Sequence, residues 1–186
     1  MIGFALCGSF CTISSALGEM QELCARYPVQ GIVSENVYHT DTRFGTAREI
    51  CTRIEALTGR EVIHTIVGAE PLGPSRPLEA LVICPCTGNT LAKMAAGITD
   101  SAVTMAAKAH LRSNRPLVIA LASNDALSAN LKNIGAMLTR KNVYFVPMRQ
   151  DDPEKKPHSL VADFTQLFST LEAALSGKQY QRLFQI

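Results

Sequence analysis

Pro85-Cys86-Thr87-Gly88-Asn89-Thr90-Leu91-Ala92-Lys93-Met94-Ala95-Ala96-Gly97-Ile98-Thr99-Asp100 follows directly on Ala80-Leu81-Val82-Ile83-Cys84, and the junction between the two decides the fold. The five residues before it form a short, continuously apolar run, the pattern of a strand buried on both faces. After Pro85 the side chains turn small and polar. Leu91, Met94, Ala95 and Ile98 then recur at helical spacing. The stretch reads as a strand end, a phosphate-sized loop and a helix start. Such a loop leaves backbone N–H groups free at a helix N-terminus, where the helix dipole also favours an anion.

The same alternation extends in both directions. Apolar runs at Ile2 to Leu6, Val29 to Val33, Leu117 to Ala122 and Val143 to Val146 are separated by helical stripes. These stripes are Ile13, Ala16, Leu17, Met20 and Leu23; Ala47, Ile50, Cys51, Ile54 and Leu57; Val103, Ala106, Ala107 and Leu111; and Leu127, Leu131, Ile134 and Leu138. Strands alternating with helices predict an α/β protein with a parallel sheet covered on both faces. Thr46 with Glu49 three residues on predicts a capping box, and Gly59 is placed to end that helix. Glu61 to Val67 reads as a further short strand. Pro147 to His158, rich in proline and charge, reads as a linker to a last helix with Leu160, Phe164, Leu167, Phe168, Leu171 and Leu175 as its stripe. So much apolar surface on a terminal helix suits packing within the domain or between subunits.

At 186 residues, 47% of them hydrophobic, the chain has material for one substantial core, and residues 1–186 are expected to form a single domain. No apolar run approaches the roughly 20 residues that span a bilayer, and Met1-Ile2-Gly3-Phe4 lacks the basic region of a signal peptide. A cytoplasmic protein with no membrane contact is expected. Its six cysteines, several of them inside apolar patterns, are expected to stay reduced. A net charge of +2, with scattered basic residues, argues against a nucleic-acid surface. His39, His64, His110 and His158 show no paired spacing, so no metal site is indicated. No Gly-x-Gly-x-x-Gly follows the first strand, which argues against a dinucleotide site on this chain. Cys84-Pro85-Cys86 invites a redox reading. Yet two cysteines one residue apart on an extended strand point to the same side and strain to pair, so they are assigned to the core.

The Pro85 to Asp100 segment resembles the phosphate and flavin loop of the FMN-binding flavoproteins, the family of flavin prenyltransferases and pantothenoylcysteine-type decarboxylases. The resemblance continues through Gly8-Ser9-Phe10-Cys11-Thr12, Thr42-Arg43-Phe44-Gly45, Ile66-Val67-Gly68-Ala69-Glu70-Pro71-Leu72-Gly73-Pro74, Asn124-Asp125-Ala126-Leu127, Asn142-Val143-Tyr144-Phe145-Val146-Pro147 and Asp152-Pro153-Glu154-Lys155-Lys156-Pro157. It implies a three-layer, Rossmann-like flavoprotein fold and FMN as cofactor. Within the family these motifs imply one component of a two-component enzyme in the mother cell of a sporulating bacterium. Its implied partner is a dehydrogenase-like subunit that carries the NAD(P) cofactor, and its substrate a small dihydropyridine dicarboxylate. Relatives commonly assemble as trimers or higher multiples, so a homo-oligomer is expected. The decarboxylases' histidine near the end of the first helix is missing between Met1 and Tyr38, and Ala122-Ser123-Asn124-Asp125 replaces their Pro-x-Met-Asn clamp. Decarboxylation of a cysteine-derived substrate is therefore not expected.

In an open parallel sheet the ligand sits beyond the carboxyl ends of the strands. The resemblance and this rule together nominate Gly8, Ser9, Ser34, Cys86, Thr87, Gly88, Asn89 and Thr90 for FMN. Gly8 permits close backbone approach, and the serines supply hydroxyl donors without bulk. A dicarboxylate calls for cations, arginine above all. Among Arg43, Lys93, Arg76, Arg112 and Arg149, Arg43 is preferred, because neighbouring Phe44 can stack on a planar ring. Surface ion pairing for Arg43 and core packing for Phe44 are equally open. The resemblance places Asn124 at the flavin mouth. Aromatising a dihydropyridine removes a hydride and a proton, so Asp125 is either the base or the cap of a helix beginning at Ala126.

Overall fold

The computed structural model describes residues 1–73 and 75–185; Pro74, the last residue of the Ile66 to Pro74 motif, lies outside them. The chain begins β1 (Ile2–Leu6), α1 (Phe10–Cys24), β2 (Val29–Val33), α2 (Glu35–His39), α3 (Ala47–Thr58) and the single turn α4 (Ile66–Ala69). It continues β3 (Ala80–Thr87), α5 (Gly88–Ala96), α6 (Ala102–Leu111), β4 (Leu117–Ser123), α7 (Leu131–Leu138) and β5 (Val143–Phe145). Two short strands, β6 (Met148–Arg149) and β7 (Leu160–Ala162), precede α8 (Leu167–Leu175). Strands β2, β1, β3, β4 and β5 pair in parallel in that spatial order. β4 then changes partner: Leu117 to Ile119 face β5, whereas Ala122 and Ser123 pair with β7 antiparallel, and β6 pairs antiparallel with β7. The sheet is thus parallel over the expected five strands and mixed at one edge.

Two apolar layers cover the sheet, as the alternation of strands and helices requires. Phe4, Leu6, Val82 and Val118 face α1, α3 and α8; Ala5, Ile83, Ile119 and Leu121 face α5, α6 and α7. The α1 stripe is buried in full, and Thr46 with Glu49 forms the capping box. Gly59 ends α3 at φ 65°, a left-handed conformation costly for residues with a Cβ. Leu167 and Leu171 are buried against the sheet, so most of the last helix's apolar stripe is consumed inside the chain.

Three expectations need correction. Glu61 to Val67 is not a strand: Ile63 makes one bridge to Ile32, and Thr65 then caps α4 by accepting from the Gly68 N–H at 3.0 Å. The last stripe does not lie on one helix, since Leu160 belongs to β7 and Phe164 to a 3₁₀ turn. Cys84 and Cys86 face opposite sides of the sheet, because the register slips between Ile83 and Cys86. Three steps along β3 there match two along β4, from Ile119 to Leu121. One extra residue reverses the alternation, as a bulge does. Both thiols are fully buried, and the core assignment stands.

Candidate functional site

β1 lies between β2 and β3, with Leu6 opposite Val33 and Ala5 opposite Ile83, so the loops leaving these strands meet at one end of the sheet. Two backbone bonds tie them together: the Ser34 N–H donates to the Leu6 carbonyl at 2.9 Å, and the Cys7 N–H to the Pro85 carbonyl at 3.1 Å. A helix follows each strand closely, starting at Phe10 after the Cys7 to Ser9 loop, at Glu35 after Ser34, and at Gly88 directly. Three positive helix ends therefore converge where Gly8, Ser9, Ser34 and Asn89 stand, and an anion placed there meets free N–H donors.

Hydrogen bonding divides the eight nominated residues into two groups. Thr87 caps α5 by accepting from the Thr90 N–H at 3.2 Å, and its hydroxyl donates to Thr90 Oγ1 at 3.1 Å. The Thr90 hydroxyl donates in turn to Cys7 Sγ at 3.3 Å, locking the third loop to the first. Cys86, Gly88 and Thr90 are buried and act as framework, whereas Gly8, Ser9, Ser34, Thr87 and Asn89 reach the surface. Ser34 caps α2 through the Val37 N–H, and Ser9 accepts from the Thr12 hydroxyl at 3.1 Å. Burial pushes the Cys7 thiol up to about 11 and holds Cys84 and Cys86 well above the usual thiol range. None of these three thiols is a thiolate near neutral pH.

The fourth loop is organised by Asp125. Its carboxylate accepts from the Ser123 hydroxyl at 2.5 Å and from Asn130 Nδ2 at 2.9 Å to both oxygens. Those bonds hold its pKa below the ordinary value, with Ser123 the larger cause. The residue is therefore a poor proton acceptor. Nor does it cap a helix at Ala126, because residues 124–130 form turns and α7 begins at Leu131. Asn124 is exposed beside it.

The cations are dispersed. Arg43 lies over the Phe44 ring with its guanidinium carbon 4.8 Å from the centroid, and Phe44 is 50% exposed, so Phe44 is not a core residue. Lys93 pairs with Asp100 at 2.8 Å. Arg76 and Arg112 are exposed. Arg149, which the sequence did not separate from surface arginines, lines a cleft of about 780 Å³ with Cys11, Thr12, Glu19, Asp151 and Asp163. β6 and β7 build that wall, and they are the elements the sequence pattern hid.

This cleft abuts the first turn of α1 but does not cover the phosphate-sized loops. Gly8, Ser9, Ser34, Asn89 and Thr90 do not line this cleft. Among the described residues no group of three or more His, Cys, Asp or Glu side chains is arranged to hold a metal ion. No described helix is long and apolar enough to cross a membrane.

Five parallel strands with three helix N-termini meeting at their carboxyl edge define a doubly wound α/β protein, the layout in which ligands bind beyond the strand ends. The chain belongs to the Flavoprotein family, whose sequence profile matches residues 1–168. It is similar to the B subunit of dipicolinate synthase of Bacillus subtilis, at 48% identity over 97% of this chain and 90% of the relative. The crystal structure of the same subunit from Bacillus halodurans superposes with a TM-score of 0.91, at 43% identity, over 100% of this chain and 95% of that one. The FMN-dependent cysteine decarboxylase SpaF shares the fold at 24% identity, with a TM-score of 0.69 over 94% of each chain.

Proposed function

We propose that this chain is the flavoprotein-like subunit of a dipicolinate synthase. With a dehydrogenase-like subunit that holds NAD(P), it takes part in oxidising dihydrodipicolinate to dipicolinate in the mother cell during sporulation. The observation that carries the reading is the meeting of three helix N-termini at Gly8, Ser9, Ser34 and Asn89, in a chain 48% identical to the Bacillus subtilis dipicolinate synthase component. The residues fit an FMN phosphate. A side chain at position 8 would lie 3.4 Å from Asn36 Cβ and the Phe10 ring, so glycine keeps a close approach open, and Ser9 and Ser34 add hydroxyls. Bound there, FMN supplies a hydride acceptor. The chain's part is to hold the phosphate with backbone N–H groups, to keep Asn89 at the rim, and to fix the β3 and β4 loops through Thr90 and Asp125. Arg43, Phe44 and Asn124 are assigned to the dicarboxylate. Because Ser9, Ser34 and Asn89 reach the surface, the flavin ring is expected to be walled by a second copy in a homo-oligomer.

A second reading is favoured by a different observation: Asp125 is fully engaged with a lowered pKa, and Cys7, Cys84 and Cys86 are buried, so these loops offer no evident base. In that reading the chain is a non-catalytic partner that shapes the dehydrogenase-like subunit for its substrate. A flavin-dependent transferase that works alone is a third class, to be recognised by prenyl transfer without the dehydrogenase-like subunit.

An FMN titration followed by flavin fluorescence and the visible spectrum separates the first two. Saturable binding that Asn89→Asp weakens by like-charge repulsion supports the flavin reading. Absence of binding makes the supporting role the account to pursue.

A further inference from the structure

At the opposite end of the sheet, where strands β4 and β5 begin, the C-termini of α5, α6 and α7 surround a cavity of about 490 Å³. Met94, Ile98, Ala107 and Leu111 give it apolar lining. Around this apolar lining stand Lys108, Arg112, Arg140 and Lys141, and no acidic side chain lines the cavity. Nothing in the proposed function uses this end of the molecule.

Cations at helix C-termini have a plain role in offsetting the helix dipole, and Arg140 plays it by donating to the Met94 carbonyl at 3.2 Å. The magnitudes leave a surplus. Three helix ends carry together about −1.5 elementary charges, well short of four cations, and none of the four is in an ion pair among the described residues. The acid nearest in sequence, Asp100, is taken by Lys93. Asn114 and Asn142, the only described non-glycine residues in the left-handed region (φ 54° and 63°), both line the cavity.

The geometry points to a binding site for a small organic anion with an apolar body, such as an aromatic or short-chain carboxylate. The size lies within the range of ligand cavities. Its lining comes from three helix ends and the turns that follow them, Gly97 to Thr99, Arg112 to Asn114 and Arg140 to Asn142, and its mixture of cations and apolar side chains suits a small anion. Carboxylate recognition by Arg112, Arg140 and the two lysines supplies orientation, and Met94 and Leu111 supply contact area. The site is independent of flavin, and its test does not depend on the flavin reading.

The full chain is titrated with 8-anilinonaphthalene-1-sulfonate, an apolar anion that fluoresces on leaving water, and with the uncharged N-phenyl-1-naphthylamine. The expected result is one saturable anion per chain, with methyl shifts in NMR confined to Met94, Ile98 and Leu111. The doubly reversed Lys108→Glu, Lys141→Glu chain, whose lysines make no described side-chain hydrogen bond, is expected to weaken binding by about tenfold or more. Far-UV circular dichroism verifies that it is folded. Equal affinity for the neutral probe, unchanged affinity in the variant, shifts located at the Gly8 and Asn89 end, or no saturable binding each overturns the proposal.

Discussion

Gly88 sits so close to Ser123 that a Cβ on the glycine would fall 2.4 Å from the serine hydroxyl oxygen. The same Cβ would meet Asn130 Nδ2 at 2.6 Å and Asp125 Oδ1 at 2.9 Å. The first residue of α5 is thus pressed against the polar network that organises the fourth loop, and the site's two halves are fixed relative to each other by the absence of one methyl group. Gly88→Ala is expected to destabilise the chain by about 1–3 kcal/mol, the ordinary range for overpacking. The measurement is a urea unfolding midpoint at unchanged slope. Gly88→Ala combined with Ser123→Gly should recover part of the loss, since Asn130 still crowds the site. A midpoint equal to the parent's in the single variant would mean that the network moves aside freely.

Asp125 ties acid stability to the same network. Its folded pKa is depressed by the Ser123 and Asn130 bonds, so its stabilisation is present above the unfolded value of 3.8 and is lost as pH falls through the folded value. Asp125→Asn should leave a shallower acid limb in a plot of unfolding free energy against pH. Asp151 and Asp163 contribute with the same sign, so the difference between the two proteins is the quantity to read. As the proposed function gives Asp125 a positioning role, the proposed hydride transfer with a dehydrogenase-like subunit is expected to survive in Asp125→Asn at a reduced rate. Complete loss of transfer with flavin affinity intact would restore it as the base.

His110 titrates with the same sign in a higher pH window. It is fully buried on α6, with Nε2 2.8 Å from the Pro116 carbonyl, which fixes the proton on that nitrogen, and with Nδ1 unpartnered. Burial, with the nearby Arg115, lowers its pKa below 6.5, more than offsetting the Pro116 bond. The unfolded chain therefore binds the proton first, and stability falls as pH drops below 6.5. His110→Leu should flatten that region of the profile, while the Pro116 carbonyl still accepts from the Leu81 N–H at 3.0 Å. An unchanged slope below pH 6.5 would show that His110 charges without cost.

The parts of this fold that the sequence displays are those in which local chemistry and tertiary demand coincide. Ile2 to Leu6 is a strand end to end, because a strand covered on both faces must be apolar throughout, and Val29 to Val33 is read correctly from its apolar ends although Gln30 is only half-buried at the sheet edge. Thr46 and Glu49 satisfy each other within four residues, so nothing distant can alter their reading. β6 and β7 stay hidden for the converse reason. They comprise Met148–Arg149 and Leu160–Ala162, too short to show a period, and they exist through pairing with each other and with Ala122 and Ser123. The late start of α7 has a like cause: the Asp125 side chain, free in sequence to cap Ala126, is taken by Ser123 and Asn130. The loops of the candidate site are visible in the sequence because strand ends and helix starts are visible. The 780 Å³ cleft beside them is not, since its Arg149 wall is built by pairing that no local pattern announces.

Gln179 closes the outer edge of the sheet with a side chain in place of a strand. Its amide oxygen accepts from the Phe145 N–H at 2.9 Å, and its Nε2 donates to the Phe145 carbonyl at 2.7 Å, reproducing both bonds a neighbouring strand would make. Phe145 is completely buried on β5, so these backbone groups have little access to water once the glutamine is gone. A lost partner for a buried amide costs about 1–3 kcal/mol, and an uncovered edge invites pairing with another chain. Gln179→Ala should therefore lower the thermal midpoint and raise light scattering near it, with both effects concentrated at β5. Gln179→Glu keeps one acceptor for the N–H but sets a carboxylate against the Phe145 carbonyl, so near neutral pH it should rescue little. If the alanine variant melts with the parent protein, the last residues of the chain are held by Met148, whose N–H donates to the Leu183 carbonyl at 2.9 Å and whose carbonyl accepts from the Gln185 N–H at 3.0 Å, and Gln179 adds nothing to the edge.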